Sequence, residues 1–171
     1  MGRQRKARGT KRANRASLWT GGGWAVHRGE LKRGVGNPGA VGNLFRWVGE
    51  KLPWESLKAV SAALKTEGVK ALGVYIAHDS MGCPRYIGRG KIFARLRSHK
   101  RRHPRELVYF SFYLVEEKKH EREIETLLIR AAGFLLEFND RKKRVGVSPG
   151  SIRDYEAGTK FFERRRAKRD T

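Results

Sequence analysis

The chain has 171 residues, 39% of them hydrophobic, and its 39 Lys and Arg against 17 Asp and Glu leave a formal charge of +22. That length suits about one domain with appendages, and the apolar content suffices for a modest core, which argues against wholesale disorder. No apolar run approaches the ~20 residues of a membrane span; the basic N-terminal stretch has no apolar signal region; and one cysteine rules out an internal disulfide framework or a Cys-rich zinc site.

Small domains ordinarily carry a charge of roughly 2–8 in magnitude, so self-repulsion on this scale calls for a polyanion. Nucleic acid is the expected partner, in a cytosolic, nuclear or nucleoid setting rather than a secreted one. Composition by itself leaves an anionic membrane surface as second choice and a ribosomal or packaging role open; no membrane partner is expected.

In chain order, residues 1–18 read as a disordered basic arm. Its first 15 residues hold seven Lys or Arg, among them Arg5, Lys6 and Arg12, and no acid. Docking on phosphates is the favoured reading, with a solvated tail or a sorting signal as alternatives. Residues 19–70 form a Gly/Trp-rich accessory segment, in which Gly21-Gly22-Gly23 and the run from Gly34 to Gly39 argue against long regular elements. Trp19, Trp24 and Trp47 either stack on bases or pack a small satellite core, and the second is favoured. A helix is expected near 54–67, with Pro53 at its start, Leu57, Val60 and Leu64 on one stripe and Gly68 as its cap.

From Ala71 the texture changes. Residues 71–77 and 85–88 read as a hairpin whose loop is shaped by Gly82 and Pro84, with Cys83 incidental. Ile92, Phe93 and Leu96 share a helical face running to about Lys100. Residues 107–115 read as a third strand, and residues 117–132 as a helix with Ile124, Leu127, Leu128 and Ala131 on one stripe. The order β-β-α-β-α predicts an α+β fold: a small three-stranded antiparallel sheet flanked by helices over residues 71–145. Residues 146–171 read as a basic tail carrying Arg164, Arg165 and Arg166.

Two tyrosines occupy the hairpin, in Gly73-Val74-Tyr75 and in Tyr86-Ile87-Gly88. Arg95 follows on the next helix, with His99 one turn on; Glu125 lies in the later helix and Asn139 beyond it. This ordered series resembles the GIY-YIG nuclease superfamily over about residues 71–145, with Val74 a variant in the first motif and Arg89-Gly90 where the family often has Lys and Ser. The resemblance implies an endonuclease that hydrolyses phosphodiester bonds, with DNA favoured over RNA. It makes Tyr75, Tyr86, Arg95, His99, Glu125 and Asn139 the candidate catalytic residues. It also implies one Mg²⁺ or Mn²⁺ held by Glu125. A homodimer would fit a restriction-type enzyme, but a repair, recombination or mobile-element nuclease fits as well.

The residue chemistry can be argued separately. A single carboxylate can hold one hard divalent ion that keeps water and phosphate oxygens as its other ligands. Glu125, with Leu128, Ile129 and Ala132 at i+3, i+4 and i+7, borders the packed side of its helix, where it reads as a metal ligand or as an edge glutamate paired with Arg122 or another surface cation. Arg95 offers a bidentate fork to a phosphate, or is one more solvated cation among six Lys and Arg between Arg95 and Arg105. Of these, Arg97, Lys100, Arg101 and Arg102, together with Arg89, are the expected nucleic-acid contacts near the site. His99 hands on a proton or contacts phosphate; a metal pair with His103 is the minor alternative. A tyrosine acting as base needs its pKa lowered from about 10 to about 8, roughly 2.7 kcal/mol of differential stabilisation. Nearby Arg95, Arg89 and a metal ion are the available sources, and Tyr75 is preferred over Tyr86 for this role. The rival class is a catalytically silent nucleic-acid-binding protein on the same scaffold.

Overall fold

The computed structural model describes residues 15–30, 44–132, 135–136 and 158–166. Seven strands make one mixed sheet. They are β1 (Ala16–Gly21), β2 (Trp24–Glu30), β3 (Phe45–Pro53), β4 (Leu72–His78), β5 (Pro84–Lys91), β6 (Tyr109–Val115) and β7 (Lys160–Arg166). The helices are α1 (Leu57–Thr66), preceded by a 3-10 turn at Trp54–Ser56, α2 (Ile92–Arg102) and α3 (Lys119–Ala132). Strand order is β1-β2-β7-β3-β6-β4-β5; the described pairings are antiparallel apart from β3 with β7.

The expected small three-stranded sheet is therefore corrected to a seven-stranded mixed one. Strands β5, β4 and β6 lie side by side, but β6 does not end the sheet. Its outer edge is taken by β3, which brings Trp47 into the main core, where the indole stacks on Phe162 of β7 at 5.4 Å. The accessory segment and the tail thus complete the sheet, and no satellite core forms around Trp47. Gly22 and Gly23, with φ of 55° and 78°, supply the two left-handed residues of a tight hairpin between β1 and β2. In β7 the pair Phe161-Phe162 is fully buried although Lys160 precedes it and Glu163 and three arginines follow it.

Strand β4 is covered on both sides, which is why its sequence reads as an unbroken apolar run. Tyr75 and Ala77 face the core shared with α1 and α2, where Ile92, Phe93, Leu96 and Leu57 pack. Val74 and Ile76 face α3 with Ile87 and Ile129. The expected helix near 54–67 is present as α1, and Gly68 (φ 68°) caps it while the Val69 amide donates to the Leu64 carbonyl at 2.9 Å. Among the described residues no helix is long and apolar enough to cross a membrane.

Candidate active site

The site is built on the register between β4 and β5, which sets Tyr75 directly opposite Gly88 and Ala77 opposite Tyr86. Tyr75 is fully buried and its ring stacks on Tyr86 at 5.9 Å. Gly88 is what admits that ring: a Cβ there would lie 2.6 Å from the Tyr75 hydroxyl oxygen. Gly73 serves the backbone instead, since a Cβ there would stand 2.2 Å from the Tyr113 carbonyl oxygen on the neighbouring strand.

Helix α2 brings two more groups to this face. His99 is buried, its ring centroid 3.8 Å from that of Tyr86, with Nε2 at 3.5 Å from the Tyr75 hydroxyl, the outer limit of a hydrogen bond. Arg95, one turn earlier, is exposed at its surface, yet its guanidinium lies beside the Tyr75 hydroxyl and its Nε is 3.6 Å from where a Gly90 Cβ would stand. Tyr75, Tyr86, Arg95 and His99 are thus gathered into one cluster, half-open at Tyr86 and open at Arg95.

Electrostatics assign these groups different roles. Burial, helped by the adjacent Tyr86, pushes the Tyr75 phenol well above its ordinary value, and the Arg95 guanidinium only partly offsets this. The lowering that a tyrosine base requires is therefore not supplied by the protein at Tyr75. The His99 imidazole is pushed down to about 4, first by burial and then by Arg102, His103 and Arg95. It is neutral near pH 7 and can accept a hydrogen bond from Tyr75.

Glu125 is buried on α3, with its side chain 10% exposed, and accepts a hydrogen bond at Oε2 from Arg89 Nε at 3.0 Å. Arg89, on β5, is a surface cation of the kind expected as its partner. Because side chains alternate along a strand, Arg89 faces α3 while Gly88 and Gly90 face α2. Both groups consequently border the same stretch of β5, an edge strand among the described ones. Glu121, one turn before Glu125, is also buried, and Glu123 is exposed.

No group of three His, Cys, Asp or Glu is assembled among the described residues. The donor set fits an ion anchored by one carboxylate and completed by water and phosphate oxygens, as Mg²⁺ commonly is. It does not resemble an all-protein cage.

Of the expected nucleic-acid contacts near the site, Arg97 and Arg101 are exposed, and Arg102 donates to Ser98 Oγ at 3.3 Å. Lys100 is differently engaged: its ammonium donates to the Pro104 and Leu107 carbonyls and lies 5.5 Å from the Trp54 ring centroid, so it fastens the end of α2. Arg164 lies over Trp24, and Arg165 pairs with Glu163. Arg166 falls in β7, opposite Trp24. Asn139, Arg5, Lys6 and Arg12 lie outside the described residues.

Sequence reasoning missed a polar lock beside the site. Buried His78 contacts Ser111 Oγ through Nε2 at 2.8 Å and the Gly82 carbonyl through Nδ1 at 3.1 Å, tying the β4–β5 turn to β6. Its imidazole is pushed down to about 4 by burial and by Lys51. The available signal was a histidine ending an apolar strand directly before a Gly-containing turn.

No protein-family model, curated protein or solved structure matches the chain.

Proposed function

We propose that the protein is a metal-dependent endonuclease of the GIY-YIG kind, hydrolysing phosphodiester bonds, with DNA as its substrate. One observation carries the reading: Tyr75, Tyr86, Arg95 and His99 converge on one face of the hairpin, beside a buried carboxylate on α3. Isolated strand tyrosines are usually core residues, and Tyr75 by burial alone would qualify. A core does not also require an arginine beside the hydroxyl, a neutral histidine against both rings and a buried glutamate bordering the same strand.

In this reading Arg95 presents its planar fork to the scissile phosphate and stabilises charge that grows during attack. Tyr86, half-exposed, is the tyrosine able to touch the attacking water. Tyr75 does not reach substrate; its hydroxyl donates toward His99 Nε2 and holds the imidazole against Tyr86. His99, neutral at working pH, takes up hydrogen bonds along this chain without adding a charge that would repel Arg95. Glu125 would hold the Mg²⁺ or Mn²⁺ ion, with Arg89 as the cation that neutralises the carboxylate otherwise. When bound, such an ion supplies Lewis-acid stabilisation of the phosphoryl oxygens and a more acidic water. The exposed cations of α2 and the strongly positive chain overall hold the backbone.

The test is nicking of supercoiled plasmid by purified protein. Cleavage that stops with chelator and returns with Mg²⁺ or Mn²⁺ is expected. Tight binding with no cleavage under any divalent ion would place the protein in the silent-binding class.

A further inference from the structure

Positive charge that the cleavage cluster does not use collects at the end of the sheet carrying the β4–β5 turn. Lys51 sits in a bulge of β3, between Gly49 and Leu52, and is the one non-glycine among the described residues with a left-handed backbone, at φ 48°. Such a conformation persists in a non-glycine residue only where surrounding contacts fix it, and bulges re-aim side chains. Here the Lys51 amide donates to Ser111 Oγ at 2.9 Å, and its ammonium nitrogen lies 3.5 Å from where a Gly82 Cβ would stand. The side chain therefore runs along the turn.

Arg164 approaches the same place from β7. Its guanidinium lies 3.8 Å from the Trp24 ring centroid and 4.6 Å from that of Tyr109. Among the described residues no carboxylate forms an ion pair with Lys51 or Arg164, whereas the neighbouring Asp79 is committed to Arg85 at 2.9 Å. Both cations lie close enough to lower the His78 pKa, which puts them at one end of the sheet.

The turn itself is pinned by hydrogen bonds and ends in an apolar tip. Asp79 Oδ1 accepts the amides of Met81 and Cys83, each at 2.9 Å, and Met81 is 86% exposed. A flexible apolar side chain held out on a pinned turn between cations suits a groove lined by phosphates, where methionine is one of the wedges proteins set against base steps. Because the guanidinium already stacks on Trp24, the cluster presents charge rather than an aromatic platform. That favours a duplex backbone over unpaired bases.

We propose that this end of the sheet is a second contact for double-stranded DNA, in which Lys51 and Arg164 hold backbone phosphates and Met81 enters the groove. The proposal rests on the nuclease reading above and adds where the duplex lies. His78, which borders the contact, lies three residues along β4 from Tyr75, so the contact is about 10 Å from the cleavage cluster, or ~3 base pairs along a duplex.

The test uses the full chain, a short fluorescent DNA duplex and chelator, with affinity measured by anisotropy across a salt series. The Lys51→Gln/Arg164→Gln variant is expected to lose about 1.8 in log–log salt slope, at ~0.9 per phosphate contact. A Lys58→Gln/Lys65→Gln control, which removes the same charge from exposed positions of α1, is expected to keep the slope of the wild type. Met81→Glu, at a position with no packing to lose, is expected to weaken binding about tenfold with an unchanged melting temperature. A wild-type slope in the first variant, an equal loss in the control, or undiminished binding by Met81→Glu overturns the proposal while leaving the nuclease reading standing. A wild-type chain that binds no duplex overturns both.

Discussion

Tyr75 and Gly88 face each other across the β4–β5 pair so closely that the glycine has no room for a side chain: a Cβ would sit 2.6 Å from the phenolic oxygen and 2.8 Å from Tyr86 Cε1. Gly88→Ala therefore pushes on both tyrosines of the cluster. Overpacking of this kind costs about 1–3 kcal/mol, and the atoms that must yield are the rings themselves. Gly73→Ala meets a backbone carbonyl instead, at 2.2 Å, and strains the sheet. The expected outcome is a folded Gly88→Ala protein with cleavage reduced by orders of magnitude, and a Gly73→Ala protein whose primary loss is stability. Thermal melting alongside single-turnover cleavage separates the two. A Gly88→Ala enzyme that cuts at the wild-type rate would mean the ring positions do not matter.

Arg89 and Glu125 share a hydrogen-bonded ion pair that is open on the arginine side, 44% exposed, and closed on the glutamate side, 10% exposed. Arg89→Gln takes the Arg89 cation away from a buried carboxylate, at a cost of about 1–2 kcal/mol after allowing for solvent access. It also removes the cation that competes with a bound ion. Half-saturation by Mg²⁺ is expected at lower concentration in Arg89→Gln than in the wild type. A metal titration of cleavage that is unmoved, or shifted upward, would show that the pair does not compete with metal.

Arg95→Lys keeps the charge and discards the planar fork. A simple electrostatic tether is indifferent to that change, whereas a group that clamps the reacting phosphate is not. Turnover is expected to fall at least tenfold with little change in duplex affinity. Wild-type single-turnover rates would return Arg95 to the class of solvated surface cations.

His78 and His99 are both held near 4, below the ~6.5 of an unfolded histidine. Between those values the unfolded chain binds protons that the folded chain refuses, so stability falls as pH drops from 6.5 toward 4 and is fully present above 6.5. Urea midpoints are expected to decline from pH 7 to pH 5, where most carboxylates are still ionised. His99→Phe keeps a ring against Tyr86 and removes one titration, so its decline is expected to be shallower. An identical decline in both proteins would mean His99 titrates normally.

The candidate site was legible in the sequence and the sheet was not, for related physical reasons. Tyr75, Tyr86, Arg95 and His99 lie within one local β-β-α unit, so strand register and helical spacing suffice to bring them together. Glu125 announced its burial through Leu128, Ile129 and Ala132, but its partner did not: Arg89 is 36 residues away, and only the β5–α3 packing joins them. The sheet depends on pairings farther apart. Strand β7 is a short Phe-Phe core flanked by charge, so its composition reads as a tail until β2 and β3 take both its edges. The glycines near Trp24 signalled interruption, and two of them in fact make a hairpin. Lys51 gave no signal, because its position is set by a bulge.

The central claim, that a buried carboxylate on α3 holds the ion for phosphodiester cleavage, is tested most directly by Glu125→Gln. The substitution keeps size and helix propensity and removes one negative charge. Glu121→Gln and Glu123→Gln serve as controls, one buried a turn earlier and one exposed. Single-turnover plasmid cleavage by all three variants across a Mg²⁺ titration, with thermal melting and duplex binding run alongside, is the measurement. Glu125→Gln is expected to fold, to bind DNA at least as well as the wild type and to lose cleavage at every metal concentration. Wild-type cutting by Glu125→Gln, or loss of cutting in Glu121→Gln alone, would contradict the assignment.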